Sequence, residues 1–196
     1  MYNQSIMKIG KIEIKKFCAL APMAGVADRA MREICVRFGA AFTVGELTSA
    51  KGISLGDKKS KELISADKNG APFASQIFGS DPEIMAQAAR FAEQQGPDFI
   101  DINMGCPAPK IIKGGAGSAL MKNPELAGKI IKSVSEAVEI PVTVKIRTGW
   151  DSDNINAVDM ALIAEENGAA AITVHGRTKD KIYAGEINCE EIAKIK

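Results

Sequence analysis

The chain has 196 residues, 46% of them hydrophobic, which is enough to bury one core and carries no disordered or collagen-like bias. Twenty-five Lys and Arg against 24 Asp and Glu leave a net charge of +1, which excludes a globally basic nucleic-acid coat; a polyanion must meet a local patch. Cys18, Cys35, Cys106 and Cys189 have neither zinc-ligand spacing nor the density of a secreted disulfide scaffold. The N-terminal MYNQSIMKIGKIEIKK lacks a signal-peptide core, and no apolar run approaches the ~18 residues of a membrane span. A protein of the reducing cytoplasm, without membrane insertion, is expected.

From residue 17 onward, short apolar runs alternate with longer amphipathic ones, the pattern of repeated βα units around a parallel sheet. A first strand is predicted over Phe17 to Leu20, leading into APMAG and a helix from about Asp28 to Phe38, with Asp28 as N-cap and Gly39 as stop. A second strand near Ala41 to Val44 ends at Gly45-Glu46, and a Lys- and Ser-rich segment, 57–62, follows. The third strand, Phe73 to Phe78, precedes Ser80-Asp81-Pro82-Glu83, a helix start with cap and first-turn proline, and that helix runs to about Gln95.

The fourth strand lies in Asp98-Phe-Ile-Asp-Ile-Asn-Met-Gly-Cys-Pro-Ala-Pro-Lys110, where Asp101 and Asn103 interrupt an apolar run and Gly105 and Pro107 flank Cys106. The loop Met104 to Ser118, rich in glycine, is expected to be mobile. Asn123-Pro124-Glu125 starts a helix to about Val138; Pro141 to Ile146 is the fifth strand, with its helix over 154–167; Ala169 to Val174 is the sixth strand, ending at His175-Gly176-Arg177-Thr178. Asn188 to Lys196 reads as a further helix start.

Six βα units of about 30 residues fit a doubly wound sheet or most of an eight-stranded barrel. Glu46, Gln76, Asn103, Lys145 and His175 each fall at or near a different strand end, as in barrel active sites, and APMAGVAD does not match GxGxxG. The expected fold is therefore α/β, an incomplete (β/α)8 TIM barrel with about six of eight units, in one truncated domain over 1–196.

The candidate chemistry sits on those strand ends. Cys106 is either a small buried hydrophobe or a reactive thiol mounted between Gly and Pro. Lys145, in the apolar strand Val142-Thr-Val-Lys-Ile146, needs an anionic partner: a carboxylate such as Asp101, solvent, or negative charge on a bound cofactor. The single histidine, His175, is either structural or, with Arg177, a donor to an anion or an acceptor-bearing ring; without a spaced partner it gives no metal set. Gln76 and Asn103 can present amide donors and acceptors to a planar ring or cap a loop, and Pro22, Met23 and Gly25 allow close backbone approach to a flat ligand. Lys51, Lys58, Lys59, Lys61, Lys110, Lys113 and Lys122 are either phosphate contacts near the rim or a solvated face.

APMAGVAD (21–28), Gln76-Ile-Phe-Gly79, DINMGCPAPK (101–110), GSALMKNP (117–124), TVKIRTGW (143–150) and TVHGRT (173–178), in this order and at βα spacing, resemble the tRNA-dihydrouridine synthases, most of all the bacterial B-type branch. The resemblance covers the chain from about residue 10. It implies an FMN-binding barrel followed by a helical tRNA-binding domain, which reduces particular tRNA uridines to 5,6-dihydrouridine with NADPH as reductant. It further implies that reduced FMN delivers hydride to C6 while Cys106 protonates C5; such a donor must be the thiol, whereas a nucleophile would be a thiolate. Lys145, His175, Gln76, Pro22 and Met23 then become flavin contacts. Asn103 and Arg177 become substrate contacts, and the target base must leave its stack to reach them. The family's phosphate-binding loops follow the seventh and eighth strands, so a chain with six should bind FMN weakly. The alternatives are an inactive fragment, or another FMN barrel acting on a free pyrimidine, such as a dihydroorotate dehydrogenase. The particular uridine and the oligomeric state are not legible in the sequence.

Overall fold

The computed structural model describes residues 7–15, 18–64 and 70–196. An antiparallel hairpin comes first, β1 (Met7–Ile9) and β2 (Ile12–Ile14), turning through Gly10 at φ +57. The remaining strands form a six-stranded parallel sheet: β3 (Thr43–Val44), β4 (Thr48–Ser49), β5 (Phe73–Phe78), β6 (Phe99–Asn103), β7 (Val142–Arg147) and β8 (Ala171–His175). β3 and β4 both pair with β5, and beyond it the order runs β5-β6-β7-β8. Leu20 extends the sheet on the other side by a parallel bridge to Thr43, its N–H donating to Phe42 O and its carbonyl accepting from Val44 N–H. The chain therefore crosses the sheet in one direction without reversing. A doubly wound fold needs a reversal of strand order, whereas a barrel does not, and the curled sheet forms a half-barrel.

Among the described residues eight α-helices, α1 (Arg29–Arg37), α2 (Ala50–Ser54), α3 (Lys58–Leu63), α4 (Pro82–Gln94), α5 (Pro109–Lys113), α6 (Pro124–Ser135), α7 (Ala157–Glu166) and α8 (Cys189–Ile195), are interspersed with these strands. Of the longer ones, α1, α4 and α6 start where cap chemistry dictates, whereas α7 has no side-chain cap bond. Asp28 accepts from Met31 N–H, Asp81 from Glu83 and Ile84 N–H, and Asn123 from Leu126 N–H, the last two ahead of a first-turn proline.

The period of two along each strand separates two environments. Ile77, Ile100, Ile102, Val142, Val144 and Ile146 face outward and join the main core with Ala88, Ala92, Ile130, Ile131 and Met160 from α4, α6 and α7. The alternate residues face inward. At the strand starts these are Ala74 and Phe99, which pack on Ile9 and Ile14 of the hairpin and on Val44, forming an apolar floor. Further along, the inward residues become polar.

Several expectations are corrected. Phe17 lies outside the described residues, and residues 18–20 form, in place of a regular strand, the Leu20 bridge and a bond from Ala41 N–H to Cys18 O. The Lys- and Ser-rich segment 57–62, to which the sequence assigns no element, holds most of α3, capped by Asp57, and α2 before it is capped by Ser49. Residues 104–118, expected as a loop, hold α5 and the start of a 3₁₀ helix, Gly117–Lys122. The first hairpin was not anticipated; three-residue strands are too short to show a period.

Ile102 is 0% exposed and Phe38 is 89% exposed. Ile102→Ala should lower the unfolding free energy by about 2–5 kcal/mol, whereas Phe38→Ala should change it by less than about 0.5 kcal/mol, as measured by denaturant titration of the two variants.

Candidate active site

The polar stretch of the inner face is built in rows across neighbouring strands. Gln76 of β5, Asp101 of β6 and Thr143 of β7 are register partners, and one level higher Asn103 pairs with Lys145 and Lys145 with Thr173. Asp101 is only 3% exposed, so its carboxylate must be satisfied from within. It accepts from Gln76 Nε2 at 2.6 Å and from the Thr143 hydroxyl. Gln76 Oε1 in turn accepts from Asn103 Nδ2 at 2.9 Å, and Asn103 Oδ1 accepts the N–H of Cys106 at 3.0 Å and of Gly105 at 3.3 Å.

Burial pushes the Asp101 pKa up to about 6, opposed by the bonds from Thr143 and Gln76 and by the Lys145 ammonium. Burial likewise lowers the pKa of Lys145, with Asp101 pulling it back up and Arg147 pushing it further down. Desolvation exceeds pairing for both groups, which leaves the lysine short of negative charge. An anionic ligand beside Lys145 would supply it.

Cys106 sits in a turn held from several directions. Its carbonyl accepts from Ser118 N–H at 3.0 Å and Ser118 Oγ at 2.9 Å. Gly117 follows the left-handed backbone at φ +61, and a Cβ there would meet Cys106 O at 2.8 Å. Buried Arg147, at the end of β7, donates from Nε to Gly105 O at 2.8 Å and from Nη1 to the carbonyls of Thr178 and Ile182 at 3.1 and 3.0 Å. The arginine thereby ties the cysteine turn to the loop after β8. Cys106 as a residue is half-buried.

His175, one row above Lys145 and paired in register with Arg147, has its pKa pushed down to about 4 by burial and by the cations Arg147, Lys145 and Arg177. It is neutral at neutral pH. Arg177 Nη1 lies 3.4 Å from His175 Nε2 and Arg177 Nε donates to Gly185 O, so this guanidinium is partly engaged within its own loop. Pro22 lines a cavity of about 130 Å³ with Ile9, Leu20, Phe42, Phe99 and Lys145. Met23 is 46% exposed outside that lining, with its carbonyl accepting from Val26 and Ala27 N–H. Gln76, Asn103 and Cys106 are linked to the cavity wall through Asp101.

The remaining candidates are dispersed. Glu46 accepts from Gly25 N–H and ties two loops together. Lys58 pairs with Glu62, and Lys61 lies over Phe91 near the end of α4 that returns to the strand starts, away from the site. Lys122 and an unanticipated Lys179 both lie over the Trp150 ring, 4.8 and 4.3 Å from its centroid. Among the described residues no group of His, Cys, Asp and Glu could hold a metal ion, and no helix is long and apolar enough to cross a membrane. Sequence reading missed Thr143 and Arg147 and gave Asp101 only as a possible partner for Lys145; the inward strand phase carried the signal for all three.

The family model for dihydrouridine synthase (Dus) matches residues 19–196, which include every polar residue of this inner face. The chain belongs to the dihydrouridine synthase family. Relatives within the family include tRNA-dihydrouridine synthase B of Vibrio parahaemolyticus, 46% identical over 190 residues, and that of Pseudomonas aeruginosa, 44% identical over 192. These alignments cover 97% and 98% of this chain but 59% and 58% of the relatives, so the chain spans less than two thirds of their length. Among solved structures, histamine dehydrogenase from Rhizobium sp. 4-9 superposes with a TM-score of 0.61 at 15% identity, over 88% of this chain and 36% of that one, a likeness of fold. The half-barrel of this dihydrouridine synthase chain thus corresponds to the family's N-terminal portion.

Gly117→Ala should cost on the order of 1–3 kcal/mol of stability through backbone strain, and should alter the alkylation rate of Cys106 in peptide-mapped labelling. His175 contributes stability that is fully present above about pH 6.5 and lost as the pH falls toward about 4, because the unfolded histidine takes up its proton first. Denaturant titration at pH 7 and pH 5 should therefore show a smaller acid loss for His175→Gln than for the unsubstituted protein.

Proposed function

We propose that the chain is the larger part of an FMN-binding (β/α)8 barrel that reduces particular uridines in tRNA to 5,6-dihydrouridine in the cytoplasm, with NADPH as reductant. In this reading further chain supplies the last two βα units, with their phosphate-binding loops, and a helical tRNA-binding domain. Family membership supports the reaction class. The observation that carries the residue-level reading is the Cys106 turn, held through Asn103 and Gln76 to Asp101, which with Lys145 lines the cavity.

The donor set fits a flavin. Leu20, Pro22 and Phe42 offer apolar surface for a flat ring system, and Lys145 offers a cation to an acceptor-rich, charge-accumulating edge. When bound, the flavin supplies the hydride that adds to C6 of the uracil.

The chain's own residues do the rest. Cys106 gives its thiol proton to C5, and the turn that holds it keeps the sulfur from swinging away as the base enters. Lys145, underpaired by Asp101, holds negative charge at the pyrimidine end of the ring. Gln76 and Asn103 each have an amide proton beyond those used in the relay, available to carbonyl acceptors. Neutral His175 can donate one hydrogen bond without adding charge, Pro22 and Met23 border the ring, and Arg177 meets the incoming nucleotide.

In the complete protein, Cys106→Ala should retain flavin and its reduction by NADPH while losing uridine reduction by about 10²-fold or more, followed as dihydrouridine in digested tRNA. Undiminished dihydrouridine formation would remove Cys106 as the acid. Lys145→Met should weaken flavin binding by roughly tenfold, the scale of one charge-assisted contact, in a fluorescence titration of apoprotein with FMN.

A further inference from the structure

The hydrogen bonds from β7 to the cysteine turn form one directional chain: Thr143 hydroxyl to Asp101, Gln76 Nε2 to Asp101, Asn103 Nδ2 to Gln76 Oε1, and Cys106 N–H to Asn103 Oδ1. Both ends of this chain fix its direction. An ionised carboxylate only accepts, so Gln76 must turn its NH₂ toward Asp101 and its oxygen toward Asn103. A backbone N–H only donates, so Asn103 must turn its oxygen toward Cys106 and its NH₂ toward Gln76. The two requirements agree, and neither amide can flip without setting donor against donor or acceptor against acceptor. Gln76, Asp101 and Asn103 are 1%, 3% and 7% exposed, so water offers little alternative to either flipped state.

We propose that Asp101 is a positioning residue, whose acceptor-only carboxylate sets the orientation of Gln76 and Asn103 and through them holds the turn that carries Cys106. It acts on Cys106 through Gln76 and Asn103 and donates no proton to substrate. The functional consequence rests on the proposed role of Cys106 as proton donor; the positioning itself does not.

The direction of the relay can be broken and then rebuilt. In Asp101→Asn the end group both donates and accepts, so the buried end no longer selects an orientation of Gln76 and only the weaker constraint from the Cys106 N–H, through Asn103, remains. In Asp101→Asn combined with Gln76→Glu, the new asparagine donates to the new carboxylate, which also accepts from Asn103, and Thr143 keeps an acceptor. The polarity presented to Asn103 and Cys106 is then restored with the carboxylate moved one strand over.

The experiment measures peptide-mapped iodoacetamide labelling of Cys106 and, separately, steady-state uridine reduction, both in the complete, flavin-loaded protein. Asp101→Asn should change the Cys106 labelling rate by about fivefold, the scale of one net hydrogen bond, and should lower kcat with little change in KM for tRNA. The double variant should recover most of both losses. A labelling rate unchanged in Asp101→Asn, or a double variant no better than the single one, overturns the proposal. Should Asp101→Asn fail to fold, Gln76→Met breaks the middle link and leaves Asp101 with Thr143; the same labelling change is expected, and its absence is again decisive. Lack of uridine reduction by the unsubstituted protein would count against the proposed function alone, since the labelling arm still decides the relay.

Discussion

A carboxylate buried to 3% exposure inside a curled sheet constrains everything around it. Taking such a charge out of water costs several kcal/mol unless hydrogen bonds and opposite charge replace the lost hydration. Asp101 gets these from the two flanking strands: Gln76 on β5, and on β7 Thr143 with the field of Lys145 one level higher. The first two are its register partners. Satisfying the charge and aligning the strands are thus the same condition, and the outward residues reinforce it. A slip of one residue in β6 would bring Ile100 and Ile102 inward and drive Asp101 among the helices, where Ile130 and Val134 offer it nothing.

Along the strands the inner face changes character in a way that locates the chemistry. The hairpin and Phe99 make a dry floor at the strand starts, and the Gln76–Asp101–Thr143 row is polar but internally satisfied. Only the rows above, with Asn103, Lys145 and then Arg147 and His175, present donors and charge that are incompletely matched. Barrel enzymes place ligands at this end of the strands, and here electrostatics gives the reason. Deeper in, every polar group has an internal partner; nearer the strand ends, cations outnumber their counterions. Burial is the first cause of the lowered pKa of both Lys145 and His175; the cations Arg147, Lys145 and Arg177 add to it at His175, while at Lys145 Asp101 opposes it.

The parts of this arrangement that were legible in the sequence were those governed by local rules. The apolar runs of β5 to β8 and the caps Asp28, Asp81 and Asn123 are short-range signals, and the helices begin where those residues place them. Order along the chain with a polar residue at each strand end was enough to prefer a barrel. What escaped were elements of three to six residues, such as β1, β2, α2 and α3, in which no period can develop. Long-range bonds escaped as well: Arg147 looks like the polar end of an apolar strand, and its carbonyl partners lie 31 to 42 residues away. Arg177 shows the converse, since a residue read as facing substrate spends one of its donors on Gly185.

The motif around Cys106 is therefore incomplete as a description of its own site. Gly105 and Pro107 allow a tight turn, but they do not fix where it points. That direction is set by Asn103 from below, Ser118 and Gly117 from the following 3₁₀ helix, and Arg147 from the neighbouring strand, which also holds the loop after β8. A group that must meet a reacting carbon as a base arrives gains from being placed beforehand, because reorganisation during the reaction adds to the barrier. Bonds to backbone groups on both sides of the cysteine supply that placement for the proton donor proposed above.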